Sequence, residues 1–187
     1  MARLIYSAIA SLDGYIADED GNFDWAMPSQ EAHAFINDLT RPIGTFLFGR
    51  RMYEVMAFWD APPAEGLSAI ERDFAEVWQG CDKVVFSRQL AHVDAPRTRL
   101  ERNFDPATVR SLLESSDRDL AVGGPHLAAQ ALHAGLVDEI QLFLAPMIIG
   151  GGTSVFPDGL TQSLRLVDQR VFDDGMVHLR YHVAATT

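Results

Sequence analysis

Asp119-Leu120-Ala121-Val122-Gly123-Gly124-Pro125-His126-Leu127 is the stretch on which the fold turns. It holds a short apolar run, two glycines, and then a helix opening with proline at its first position. An oligophosphate needs bare backbone N–H groups at a helix N-terminus, and paired glycines let it come close to them. A second junction of the same kind lies upstream: Gly44-Thr45-Phe46-Leu47-Phe48 reads as a buried strand. Gly49-Arg50-Arg51-Met52-Tyr53-Glu54 follows, opening a helix with two guanidinium groups. Either junction alone reads equally well as a tight turn. Together they suggest a nucleotide cofactor gripped from two sides.

Outward from these junctions the chain alternates strands and helices, without repeats or low-complexity tracts. Leu4 to Ala10 is a strand, Ser11-Leu12-Asp13-Gly14 interrupts it, and Tyr15-Ile16-Ala17 resumes extended structure. Asp18-Glu19-Asp20-Gly21-Asn22 is a solvated turn whose glycine is misplaced for a calcium loop. Ser29 caps a helix through Leu39 with Ala32, Phe35, Ile36 and Leu39 on its apolar face, and Ser68 to Trp78 is a second amphipathic helix. Lys83-Val84-Val85-Phe86 is a strand ending at Ser87-Arg88, and Asp105-Pro106 opens a helix through Glu114. A helix from Pro125 to His133 follows the central glycines. The tail reads as strands from Val137 to Ile149, Ser163 to Phe172 and Met176 to Val183, with Asp173-Asp174-Gly175 as a hairpin turn. This pattern predicts one α/β domain over residues 1–187, with parallel crossovers early and an antiparallel meander late.

At 187 residues the chain can bury a substantial core. A formal net charge of −11 argues against nucleic-acid or anionic-membrane surfaces, since the long-range field repels phosphate backbones. It leaves room for a phosphorylated small molecule, because a few placed arginines dominate locally. Fourteen of the 15 basic residues are arginine, so a Schiff-base mechanism has Lys83 as its sole candidate. Cys81 is alone, which excludes an intrachain disulfide and a cysteine metal knuckle and fits a reducing cytoplasm. The first residues enter a strand pattern directly, so no leader is expected, and no apolar run approaches the length of a membrane span. His178 with His182, and His126 with His133, lack a third ligand at metal spacing, so no metal is expected.

Ser11-Leu12-Asp13-Gly14-Tyr15-Ile16-Ala17, Gly49-Arg50-Arg51-Met52-Tyr53-Glu54, Ser87-Arg88, Val122-Gly123-Gly124-Pro125-His126-Leu127 and Ala134-Gly135-Leu136-Val137-Asp138-Glu139 occur in the order seen in dihydrofolate reductase-like proteins. Pro146-Met147-Ile148-Ile149-Gly150-Gly151-Gly152 with Phe156 extends the match. The chain most resembles the reductase domain of the bifunctional riboflavin-biosynthesis deaminase–reductase, in stand-alone form. With one cysteine, the zinc deaminase half of such an enzyme has no counterpart here.

The resemblance implies a three-layer α/β fold with a mixed central sheet and helices on both faces, and NADPH-dependent hydride transfer to a small heterocyclic or sugar-phosphate substrate. It assigns phosphate contacts to Gly49, Arg50, Arg51 and, through its backbone, Met52, where relatives often carry threonine. Ser87 and Arg88 correspond to the site of the adenosine 2′-phosphate. Gly123 and Gly124 lie on the pyrophosphate and nicotinamide side, with Pro125, His126 and Leu127 opening the next helix. Ile16 and Ala17 offer backbone groups to the nicotinamide carboxamide. For the proton that accompanies hydride, Asp13 and Glu31 are the carboxyl candidates, with an ordered water as the alternative. Glu31 reads equally as a helix-dipole partner and Asp13 as a turn residue. Trp25 either lines the substrate side or anchors a loop. Two other readings stand beside this one: a dihydrofolate or other pterin reductase, and an NADPH-binding dimeric module without turnover. The apolar run Ile140 to Ile149, placed near a sheet edge, suggests a homodimer, as is common in the family.

Overall fold

The computed structural model describes residues 2–63 and 65–184. Through them runs an eight-stranded sheet in the order β5-β4-β3-β6-β1-β7-β10-β9. Its strands are β1 (Leu4–Ser11), β3 (Ile43–Gly49), β4 (Asp82–Phe86), β5 (Thr98–Glu101), β6 (Asp119–Gly123), β7 (Glu139–Ala145), β9 (Leu164–Val171) and β10 (Val177–Val183). The neighbours from β5 to β7 are parallel, whereas β10 and β9 run antiparallel. A small ladder of β2 (Tyr15–Ala17) and β8 (Thr153–Ser154) stands apart. The mixed sheet and its late meander agree with the expected architecture.

Strand side chains alternate between faces, and here both faces are buried. Leu4 and Tyr6 of β1 join Leu47, Leu120 and Val122 against α4 (Pro106–Ser115) and α5 (Pro125–His133). Ile5 points the other way, joining Phe46, Phe48 and Ala121 against Phe74 and Trp78 of α3 (Ala69–Gln79). On that second face α1 (Gln30–Thr40) packs Phe35, Ile36 and Leu39 near Phe143, Phe172 and Met176. The rings of Phe46 and Phe48 stack at 5.4 Å, with Trp78 tilted over both. The remaining helix, α2 (Arg50–Met56), springs directly from the end of β3.

Two features depart from the sequence reading, and a third completes it. The run from Val137 to Ile149 is a strand only over β7, and β7 is interior, between β1 and β10. The long edge strand is instead β9. Strands β5 and β8 were not expected, because Thr98-Arg99-Leu100-Glu101 alternates nothing apolar and β8 has two residues. Edge position explains β5, since an edge strand tolerates charge that protects it from pairing. Finally, the lone lysine is structural: Lys83 is buried, 3.0 Å from Asp60 and 4.9 Å from the Trp78 ring centre. The Trp78 indole N–H donates to the same carboxylate at 2.8 Å. Such a pair serves placement more than net stability.

Candidate active site

Both glycine junctions end at one edge of the sheet, where the parallel strands finish. The register puts Gly49 opposite Phe86 and Phe48 opposite Gly123, so the ends of β4, β3 and β6 stand side by side. Ser87-Arg88, Gly49-Arg50-Arg51 and Gly123-Gly124 therefore lie along one line. The next strands, β1 and β7, end in the loops that carry Asp13 and Ile149-Gly150.

Helix capping separates the two halves of this edge. Ser29 Oγ accepts from Ala32 N, Ser68 forms a reciprocal box with Glu71, and Asp105 accepts from Ala107 and Thr108 N. Among the described residues, helices α2 and α5 have no side-chain cap, and glycine precedes each. Their first N–H groups lack the partner that the other three helices take from a side chain. An added Cβ at Gly49 would meet nothing within 4 Å, so the approach to α2 is open. Arg50 pairs with Glu54 at 3.0 Å, while Arg51 is exposed. Arg88 is exposed and its Nε donates to Asn103 at 2.8 Å. Ser87 Oγ accepts from Gln89 and Leu90 N at 3.1 Å each, which fixes the turn that presents Arg88.

The glycine pair is explained differently at its two positions. A Cβ at Gly123 would fall 2.3 Å from Phe48 Cε1, so the missing side chain makes room for a core ring. Gly124 adopts φ +84°, a conformation that favours glycine, and Met52 lies against it. Met52 thus packs on the turn, as expected of a thioether with no hydrogen to donate. Pro125 is the first helical residue of α5 and His126 is exposed, but the Leu127 side chain is in the core. Ile16 and Ala17 sit on β2, where the pairing shifts register between Tyr15 and Ala17.

The other half of the edge is closed by its own carboxylates. Asp13 accepts from Gly150 N at 2.8 Å and Ile149 N at 3.3 Å. Together with the Ser11 hydroxyl, the largest influence, these N–H donors hold its pKa below the ordinary value. Leu12 N donates to Met147 O at 2.8 Å, riveting the same two loops together. Glu31 turns to the β9–β10 hairpin, 2.7 Å from Arg170 and accepting from Asp173 N at 3.2 Å. The Arg170 guanidinium, first, and the Asp173 N–H depress its pKa. Asp174 accepts from Ser29 N and Met176 N, both at 2.9 Å. Trp25 packs beside the α1 cluster with its indole nitrogen buried and unpartnered among the described residues.

Several residues of this half are given no role by the sequence reading. Ser11 is fully buried, and its Oγ accepts from Tyr15 N at 3.0 Å. Gly152 lies so close to β2 that a Cβ would sit 2.1 Å from Ala17 O. Arg170 spreads over the rings of Phe35 and Phe172 at 4.9 and 5.1 Å while it pairs with Glu31. The Ser11 contact is local, whereas those of Gly152 and Arg170 depend on pairing between segments more than a hundred residues apart. The quoted stretches Ser11 to Ala17 and Pro146 to Gly152 are the pointers to this half.

This sheet order and edge are those of the dihydrofolate reductase-like fold, as built in riboflavin-type reductase domains. The chain belongs to the family of the RibD C-terminal domain, whose model matches residues 2–178. Over 182 residues it is 28% identical to the YyaP protein of Bacillus subtilis (strain 168), covering 96% of this chain and 94% of that one. It shares its fold with a Shewanella sp. PV-4 protein provisionally assigned to riboflavin biosynthesis, at TM-score 0.77 and 21% identity, covering 98% and 99% of the two chains. A pyrimidine reductase-like protein of Corynebacterium diphtheriae matches at TM-score 0.70 and 17% identity, covering 99% and 93%. The reductases of this family use a nicotinamide cofactor.

Proposed function

We propose that this protein is an NADPH-dependent reductase that delivers hydride to a C=N or C=O group of a small heterocycle of the aminopyrimidine kind, as in riboflavin biosynthesis. The observation that carries this reading is the pair of uncapped, glycine-preceded helix starts on adjacent strands β3 and β6, flanked by arginines. Backbone N–H groups of α2 and α5 suit the diphosphate, with Arg51 and, once parted from Glu54, Arg50 adding charge-assisted bonds. Arg88 suits a 2′-phosphate, which favours NADPH over NADH. When bound, the nicotinamide supplies the hydride; everything else is positioning by this chain. Ile16 and Ala17 orient the carboxamide through β2, and the Asp13 clamp fixes the loops over the ends of β1 and β7.

Asp13 and Glu31 are positioning residues in this reading, because both are held ionised. The proton then comes from water admitted to the cleft. A dihydrofolate reductase would need Glu31 in the cleft, whereas its carboxylate is engaged by Arg170 and Asp173. The reductase belongs in the cytoplasm and acts as a homodimer. Support for pairing comes from the β9–β10 hairpin: Leu166 opposite Tyr181 and Val171 opposite Val177 share one face, with Leu166 48% and Val171 71% exposed.

The test is to follow NADPH absorbance while offering ribosylaminouracils, their phosphate esters and dihydropterins. Oxidation of NADPH by an aminopyrimidine is the expected outcome. Tight NADPH binding with no oxidation by any of them would leave a cofactor-binding module instead, and light scattering on the same sample reads the dimer.

A further inference from the structure

The edge read above as a reductase cleft is partitioned by charge, and the partition bears on the substrate. From Leu4 to Thr40 the sequence carries seven carboxylates and no lysine or arginine, and none occurs from Pro146 to Ser163. Asp38 sits at the far end of α1 beside Arg41; Asp13 and Glu31 lie where β1 and β7 end. The exposed side chains of the two segments include Leu12 (62%), Met27 (72%) and Ile148 (70%).

Trp25 apart, whose buried indole N–H has no partner among the described residues, six groups able to bind an anion on this side are already engaged. The Ile149 and Gly150 N–H groups are taken by Asp13. Arg170 and Asp173 N are taken by Glu31, and Ser29 N and Met176 N by Asp174. Every one of these receptors is filled by a carboxylate of the chain itself. On the cofactor side Glu54 engages Arg50, but α2 and α5 start without side-chain caps among the described residues, and Arg88 is held by a neutral amide. A phosphate monoester entering beside β1 and β7 would meet apolar side chains and fixed carboxylates, and like charges there cost affinity.

We propose that the substrate of this cleft is a neutral heterocycle without a phosphate group, and that the cofactor's phosphates are the only ones the edge accepts. This rests on the reductase reading and refines it: the ring is retained and the phosphoribosyl tail is excluded. It assigns discrimination to Asp13, Glu31 and Asp174, which act by occupying the sites that a substrate phosphate would need.

The experiment uses the full chain, titrated calorimetrically with a ribosylaminouracil and with its 5′-phosphate, each with and without saturating NADPH. The unphosphorylated probe should bind at least about tenfold more tightly. Equal or tighter binding of the phosphate ester overturns the proposal, and so does failure of both probes to bind. Ile148→Arg adds a cation to an exposed wall position and should narrow the gap by about fivefold or more; an unchanged gap counts against the proposal. NADPH binding on the same samples is read separately. A protein that prefers the neutral probe yet ignores NADPH keeps the charge partition and loses the reductase reading. One that binds NADPH and prefers the ester does the reverse.

Discussion

One sheet edge presents two chemistries. At the ends of β4, β3 and β6 the chain leaves donors unfilled: two helix starts without caps and arginines reaching into solvent. At the ends of β1 and β7 it fills equivalent donors internally, with Asp13, Glu31 and Asp174. The backbone offers the same N–H groups in both places. What differs is whether the sequence supplies a carboxylate close enough to satisfy them. In the proposed reading, open donors would receive a phosphate from outside, whereas satisfied ones serve structure.

The comparison breaks most visibly at two glycines. Gly152→Ala drives a Cβ to 2.1 Å from the Ala17 carbonyl at a φ of +125°, so it should lower stability by about 3 kcal/mol or more. Gly49→Ala, on the open half, meets nothing within 4 Å and should stay within about 0.5 kcal/mol. Urea unfolding of both variants decides this, and a similar cost at Gly49 would mean that the open half is structural too.

Cofactor affinity sharpens the same contrast. Arg51→Ala should weaken NADPH binding by about tenfold, a loss typical of one charge-assisted bond. Arg50→Ala should cost less, because Glu54 already engages that guanidinium. Equal losses at the two positions would show that the Glu54 pair opens at no cost.

Acid should strike the self-satisfied half first. His178 is fully buried beneath Phe35 and Phe143, at ring distances of 5.0 and 4.6 Å, with both nitrogens unpartnered among the described residues. Burial pushes its pKa below the ordinary 6.5, against the nearby charges of Asp168 and Glu139 and together with that of Arg180. A depressed histidine contributes stability that is complete above pH 6.5 and fades as pH falls, since the unfolded chain takes up the proton first. Between pH 7 and 5.5 the wild type should lose stability that His178→Phe does not lose. Parallel pH curves for the two proteins would sink this assignment. The lowered carboxylates, Asp13, Glu31 and Asp174, add a further loss only at more acid pH, as each is protonated.

The smallest effect belongs to Asp13→Asn and Glu31→Gln. Neither should change the turnover number by more than about twofold or shift its pH profile, because in the proposed reading the proton comes from water. A fall of about a hundredfold with loss of a titrating limb would restore one of them as the acid.

Much of the fold was legible because its signals are local. Ser29, Ser68 and Asp105 announce their helices, and Asp173-Asp174-Gly175 announces the final hairpin. The open half of the site was legible for the same reason, since glycine, arginine and helix start are adjacent in sequence. The closed half was not. Glu31 reads as a helix-dipole residue until β9 brings Arg170 beside it, and Asp13 reads as a turn until Gly150 folds over it. Gly123 shows how a local sign misleads: its missing side chain serves Phe48 before any ligand.

The most direct measurement is a tryptophan-fluorescence titration with NADPH and NADH, on the wild type and on Arg88→Ala. The account predicts saturable NADPH binding at least about tenfold tighter than NADH, with the preference lost in the variant. Equal affinities that Arg88→Ala leaves untouched, or no saturation by either nucleotide at about 1 mM, would contradict it.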